Sequence, residues 1–221
     1  MINIIIDGEY KLYNHGLKLF LSHILMEQFK ISSRYFDCLN DQTIQDADII
    51  VISLEAGERY ICHPLLKKRK KNSLVIGLYD RENHNISNRL PHCTKKMVYI
   101  NRTENLSEIK KTVLLQWEIR NNNSFDAGLN NCQNCRYRTL SPQQINVAGR
   151  YFNGKSIQEI AVELNLNRKT VLSHKYMVMK KFNLISDYEL ISFLAKVDLP
   201  ENVAGLFPGC TKRKAFSSSG L

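Results

Sequence analysis

The sequence predicts a doubly wound parallel α/β domain followed by an all-α domain of four helices with helix-turn-helix spacing. Three observations lead there. Five short apolar runs alternate with helix-like stretches over the first half of the chain. From Leu140 onward the pattern is helical only, and each helix is preceded by its own start signal. Between the two lies Asn121–Asn131, polar and without periodicity. The expected division is an α/β domain over 1–120, a linker over 121–136, a helical domain over 137–198 and a loose tail over 199–221.

Taken in order, Ile2–Ile6 is an apolar run rich in β-branched residues that ends at Asp7-Gly8, a buried strand meeting a loop. Gly16–Phe29 places Leu17, Phe20, Leu21, Ile24, Leu25 and Phe29 at helical spacing. Tyr35–Leu39, Ile49–Leu54, Leu74–Tyr79 and Met97–Ile100 read as further strands, and Leu106–Trp117 returns to helical periodicity. Continuously apolar strands alternating with helices describe a parallel sheet covered on both faces.

In the second half, Ser141-Pro142 puts a capping residue before a proline at the first helical position. The helix it opens runs through Ile145, Val147, Ala148 and Tyr151 and stops at Asn153-Gly154. Ser156-Ile-Gln-Glu159 has the form of a capping box and opens a short helix through Ile160, Ala161 and Leu164. Asn165-Leu166-Asn167 is a tight turn, and Asn167 can cap a longer helix from Arg168 to about Asn183. Ser186-Asp-Tyr-Glu189 opens a last helix through Ile191, Leu194 and Val197. A short helix, a tight turn and a longer helix describe the DNA-binding helix-turn-helix. On the longer helix Val171, His174, Val178 and Phe182 form a core-facing stripe, which makes His174 a packed histidine. Lys169, Leu172, Ser173, Tyr176 and Lys180 project from another side, a mixture suited to phosphates and major-groove base edges. On pattern alone a generic four-helix bundle with a solvated basic face fits equally well.

Charge is compatible with a nucleic-acid partner. The net charge is +10 and the pI about 9.3, which suits DNA, an anionic membrane surface or acidic partners. The segment Cys132–Val197 has ten bases against four acids, a net +6, so more than half of the excess lies in the helical half. Apolar runs such as Ile49–Ile52 are far shorter than the ~20 residues a bilayer span needs. The start, Met1-Ile2-Asn3-Ile4, has no basic region of the secretory type. A cytoplasmic protein with six reduced thiols and no membrane partner is the expectation.

Residue-level resemblance separates the helix-turn-helix from the generic bundle. The segment from Leu140 to Leu184 resembles the LuxR/FixJ (GerE-type) DNA-binding domain. The matching positions are Leu140, Gly154, Ser156, Glu159, Ile160, Ala161, Leu164, Thr170, Val171, His174 and Lys181. The resemblance implies groove reading by Leu172, Ser173 and Tyr176, with phosphate contacts around Lys169, Thr170 and Lys175; Arg168 and Lys180 complete the expected DNA-binding set. Two departures stand out. Gln144 and Asn146 occupy places where glutamates are usual, which leaves the fold intact. Leu172 replaces a common lysine; it can touch a thymine methyl but donates no hydrogen bond.

An α/β domain ahead of such a module resembles a response-regulator receiver. Receiver phosphorylation needs an acidic pair after the first strand for Mg²⁺, an aspartate acceptor after the third, a Ser/Thr after the fourth and a lysine after the fifth. Here Asp7 and Glu9 form an imperfect pair, and Ser53 stands at the acceptor position with Glu55 two residues on. Tyr79 or Leu78 follows the fourth strand, and Arg102 is the cation nearest the fifth. Asp7, Glu9 and Ser53 are therefore expected to outline a degenerate acceptor pocket with no catalytic residues and no cofactor. The chain resembles the LuxR-type subset with degenerate receivers, auxiliary regulators of the RcsA and BglJ kind. That resemblance implies double-stranded DNA as ligand, bound as a homodimer or as a heterodimer with a related response regulator. A phospho-accepting regulator and a co-regulator acting mainly through its partner are the alternatives.

Three features carry less. Cys132-Gln-Asn-Cys135 has zinc-ligand spacing but is half a site, and no metal is expected. Lys67-Lys-Arg-Lys-Lys71 is expected to be a solvated basic loop. The last helix offers Tyr188, Ile191, Leu194 and Ala195 as a candidate dimer surface.

Overall fold

A computed structural model describes residues 1–80, 90–122 and 139–197. Both expected architectures are present. Five parallel strands, β1 (Ile2–Asp7), β2 (Ser33–Phe36), β3 (Ile49–Ser53), β4 (Leu74–Tyr79) and β5 (Val98–Asn101), form one sheet in the order β2-β1-β3-β4-β5. The connections include α1 (Lys11–Phe29), α2 (Thr43–Asp46), a 3₁₀ turn over Pro64–Lys68 and α3 (His92–Lys95). The long helix α4 (Leu106–Asn122) follows β5. Side chains alternate across each strand. Ile4, Ile6, Ile49, Val51, Ile76 and Ile100 therefore share one face and pack on Leu21, Ile24 and Leu25 of α1 and on Ile109, Val113 and Trp117 of α4. Ile5, Ile50, Ile52 and Val75 alternate with them and are equally buried, which is why these strands read as unbroken apolar runs.

The amino ends of β4 and β5 are fixed by Arg120. Its side chain is buried, and it donates to the carbonyl oxygens of Ser73 (3.3 Å) and Lys96 (2.9 Å). Burial lowers its pKa. The basic run Lys67–Lys71, which begins within the 3₁₀ turn, is not a free loop: Lys68 pairs with Asp41 and Lys70 with Asp48, each at 2.8 Å. Arg69 turns inward and donates to the Leu66 carbonyl at 2.6 Å. Neighbouring carboxylates, absent from a local reading of the run, account for the difference.

Compact packing divides the chain into two units, and the second draws on more than the C-terminal sequence. Among the described residues it holds 55–63, 90–91 and 139–197. Its helices are α5 (Pro142–Phe152), α6 (Ile157–Glu163), α7 (Arg168–Phe182) and α8 (Asp187–Lys196). Tyr60 and Ile61 join its core beside Leu140, Ile145, Val178, Phe182, Leu190 and Phe193. Tyr60 is 1% exposed. Gly57, with φ +85°, brings this segment in so closely that a β-carbon there would lie 2.6 Å from Phe193. Only a residue without a β-carbon meets both conditions. Nothing in the sequence pattern signals this contribution. No described helix is long and apolar enough to cross a membrane. The linker beyond residue 122, Cys132, Cys135 and the tail lie outside the described residues.

Truncating Tyr60 removes a fully buried aromatic ring from the second unit. Tyr60→Ala is expected to lower the opening free energy of α7 and α8 amides by about 3 kcal/mol or more. Native-state hydrogen exchange measures this, and unchanged protection of those amides would deny Tyr60 its place in the core.

Candidate nucleic-acid interface

Each helix around the turn begins where a side chain satisfies its first free N–H groups. The Ser141 and Ser156 hydroxyls accept from the N–H groups of Gln144 and Glu159, and both pairs close as capping boxes. Gln144 does the work expected of a glutamate: its amide oxygen accepts from the Ser141 N–H at 3.0 Å and from Lys181 at 3.1 Å. Asn165 takes a left-handed φ of +50° in the turn between α6 and α7. Asn167 then caps α7 by accepting from the Lys169 N–H at 2.9 Å. Val147, Ile160, Ala161 and Val171 clamp the two helices of the motif together.

The clamp sets which side of α7 is bare. Val171, Val178, Met179 and Phe182 are buried, and the Phe182 and Phe193 rings lie 4.4 Å apart between centroids. Arg168, Lys169, Ser173, Tyr176 and Lys180 are exposed, while Thr170 and Leu172 are half-buried. Lys169, Ser173, Tyr176 and Lys180 recur at spacings of four, three and four. They therefore form one stripe, with cations at its ends about 16 Å apart along the axis. Tyr176 is 59% exposed.

Lys175 is the exception among the expected DNA contacts. It is 7% exposed and turned toward α5 and α8. Its ammonium donates to Asp187 Oδ1 at 2.6 Å and to the Tyr151 hydroxyl at 3.2 Å. The expected phosphate contact is thus replaced by an internal ion pair, because a carboxylate twelve residues on lies within reach. Sequence reasoning saw Asp187 only as part of a helix start, and no helical period links 175 to 187. His174 is half-buried, with a buried Nδ1 that has no hydrogen-bond partner. On α8, Tyr188, Ile191 and Ala195 are exposed, but Leu194 faces the core at 1% exposure and drops out of the expected surface.

Pairing decides which positive charges remain available. Arg150 and Lys155 both pair with Glu163, and Lys181 donates to the Thr139 carbonyl at 2.6 Å. Arg168, Lys169 and Lys180 make no ion pair among the described residues, and all three lie on α7.

In the α/β unit Asp7 and Ser53 stand at the ends of neighbouring strands. Asp7 ends β1 beside Ile52, Ser53 ends β3 beside Leu78, and Tyr79 ends β4 beside Asn101. These are the carboxyl ends of adjacent strands, at the point where the strand order reverses and open α/β sheets bind ligands. Asp7 and Ser53 are half-buried and Glu9 is exposed. Gly8 lies so close to Ser53 that a β-carbon would meet its Oγ at 2.3 Å. Arg102 has a buried side chain that pairs with Asp80. Its guanidinium lies 4.8 Å from the Tyr10 ring centroid and 5.9 Å from that of Tyr13. Burial raises the Tyr13 pKa, partly offset by Arg102.

Comparison with known proteins agrees with this geometry. Residues 138–194 match the family described as GerE, bacterial regulatory proteins, luxR family. The oxygen regulatory protein NreC of Staphylococcus carnosus is 27% identical over 158 residues, which cover 72% of this chain and 66% of that protein, just under two thirds of its length. A two-component response regulator RcsB–DNA complex is 19% identical with a TM-score of 0.54, covering 89% of this chain and 98% of RcsB. RcsB from Salmonella enterica serovar Typhimurium, bound to a promoter with a phosphomimetic, is 17% identical with a TM-score of 0.55. That match covers 87% of this chain and 97% of RcsB. These two structures share the fold.

The helical unit should be acid-labile. A hydrogen bond from Lys175 holds the Asp187 carboxyl below its ordinary range. Ser156 does the same for Glu159, and Lys155 for Glu163. A carboxyl more acidic in the folded state stabilises fully above its unfolded pKa of about 4 and loses that contribution as pH falls. Burial works against the Lys175 ammonium, but its bonds to Asp187 and Tyr151 outweigh it and raise its pKa. Its contribution is therefore lost only in alkali. Urea midpoints for this unit are expected to fall below about pH 4, and less steeply in Asp187→Asn; an identical acid slope in that variant would remove Asp187 from the account.

Proposed function

We propose that this chain is a sequence-specific DNA-binding transcription regulator that lays α7 in the major groove. The observation that carries the reading is the stripe Lys169-Ser173-Tyr176-Lys180, bare along its length while the other face of α7 is core. A hydroxyl and a phenol between two unpaired cations offer base-edge contacts flanked by phosphate contacts. Arg168, Thr170 and Leu172 complete the contact set, Leu172 through an apolar contact to a thymine methyl. Lys175 acts from behind this face. The relatives' names, an oxygen regulatory protein and a response regulator in a DNA complex, fit the reading.

The α/β half works by dimerisation or partner binding rather than by aspartyl phosphorylation. A serine at the acceptor position, a glycine backbone pressed against it and a buried Arg102 spent on Asp80 support this. A single helix-turn-helix covers one half-site, so the working form is a dimer, homomeric or with a related regulator. The exposed stripe Tyr188-Ile191-Ala195 is its candidate contact. The protein acts in the cytoplasm.

Selection of genomic DNA by the purified protein tests the reading. Wild type is expected to recover a palindrome. Ser173→Ala or Tyr176→Ala should change the preferred base at a defined position, at a cost of about 1–3 kcal/mol on the original site. Lys169→Ala should weaken binding evenly and reduce the salt slope by about one. Equal weakening on every sequence by Tyr176→Ala would remove its base-reading role. Incubation with a small phosphodonor and Mg²⁺ is expected to leave the mass unchanged; a stable addition of one phosphoryl group would make the protein a phospho-accepting regulator instead.

A further inference from the structure

Lys175 and Tyr176 are consecutive on α7, so their side chains leave the helix about 100° apart and would ordinarily diverge. Here they stay together. Lys175 Nζ lies 4.5 Å from the ring centroid of Tyr151 and 5.9 Å from that of Tyr176. The ammonium is held there from behind by two bonds, to Asp187 Oδ1 and to the Tyr151 hydroxyl. The Tyr151 hydroxyl in turn donates to Asp187 Oδ2 at 2.9 Å. Lys175, Tyr151 and Asp187 thus close a triangle joining α5, α7 and the first turn of α8. A lysine stem has several rotamers to lose, and a closed triangle of this kind confines it to one. Its fixed positive charge faces a ring whose π cloud attracts it.

We infer that Asp187, through Lys175, is a positioning residue for DNA recognition: it fixes the direction in which the Tyr176 ring is offered to the bases. The inference rests on the proposed role of Tyr176. It adds that a residue on α8, off the reading stripe, determines specificity without touching DNA. Removing the carboxylate charge frees the ammonium to seek solvent and frees the Tyr176 ring to occupy more than one rotamer. Sequence discrimination then falls while phosphate contacts from Arg168, Lys169 and Lys180 persist.

Two readouts on the full-length protein test this, one without DNA. In NMR spectra with labelled tyrosine, the χ1 couplings of Tyr176 should report one rotamer in wild type and an average in Asp187→Asn. Tyr151→Phe, which keeps the ring and removes the hydroxyl, should give an intermediate result. In DNA selection, Asp187→Asn should lower discrimination at the base read by Tyr176 about two- to fivefold, the size of one exposed cation–π contact. Its nonspecific affinity and salt slope should stay as in wild type, and in Tyr176→Ala the same change should have no further effect. Unchanged Tyr176 couplings in Asp187→Asn would overturn the positioning role even if DNA recognition holds. An equal loss on all sequences, or a loss that adds to that of Tyr176→Ala, would overturn it as well. Averaged couplings with no selected sequence in wild type would leave the side-chain linkage standing and sink the DNA reading.

Discussion

In the helical unit the buried side of α7 governs what its opposite side presents. Val171 locks onto α6, while Val178, Met179 and Phe182 seat α7 against α5, α8 and the Tyr60 segment. Burying aliphatic and aromatic side chains of this size is worth roughly 1.5–3 kcal/mol each. That driving force turns the opposite stripe outward. The capping residues Ser141, Ser156, Asn167 and Ser186 then fix where each helix begins. Rotation of α7 about its own axis is ruled out because it would carry Lys169 or Lys180 into the core.

Charge follows from the same packing. The helical half is rich in cations, yet intramolecular partners occupy several of them: Glu163 takes Arg150 and Lys155, Asp187 takes Lys175, and the Thr139 carbonyl takes Lys181. The more exposed pairs to Glu163 add little stability. The effect of these pairings is to leave Arg168, Lys169 and Lys180 of α7 with no ion pair among the described residues.

The α/β half places its polar side chains at the two ends of its strands. Asp7 and Ser53 stand at adjacent strand ends as the topology demands, and Arg120 secures the opposite edge of the sheet. Arg102 is enclosed by Tyr10, Tyr13 and Asp80 rather than facing an open pocket.

Much of this is legible from the residues alone. Strand runs such as Ile49–Ile52 and the capping signals before each C-terminal helix are local, because the hydrogen bonds and burial that produce them act within a few residues. The exposed stripe of α7 follows from helical period, and so does most of its buried one. Three features were decided only by tertiary structure. Lys175 lies in the core, Leu194 faces inward, and residues 55–63 complete the core of a unit whose other described members mostly begin at 139. Each depends on partners distant in sequence: Asp187 for Lys175, the Phe182 and Phe193 cluster for Leu194, and Gly57 meeting Phe193 for the inserted segment. Period and propensity record what a residue does along its own helix or strand. A lysine's choice between a phosphate and a carboxylate is set by which lies within about 3 Å once the chain has closed, and only the folded arrangement of α5, α7 and α8 determines that.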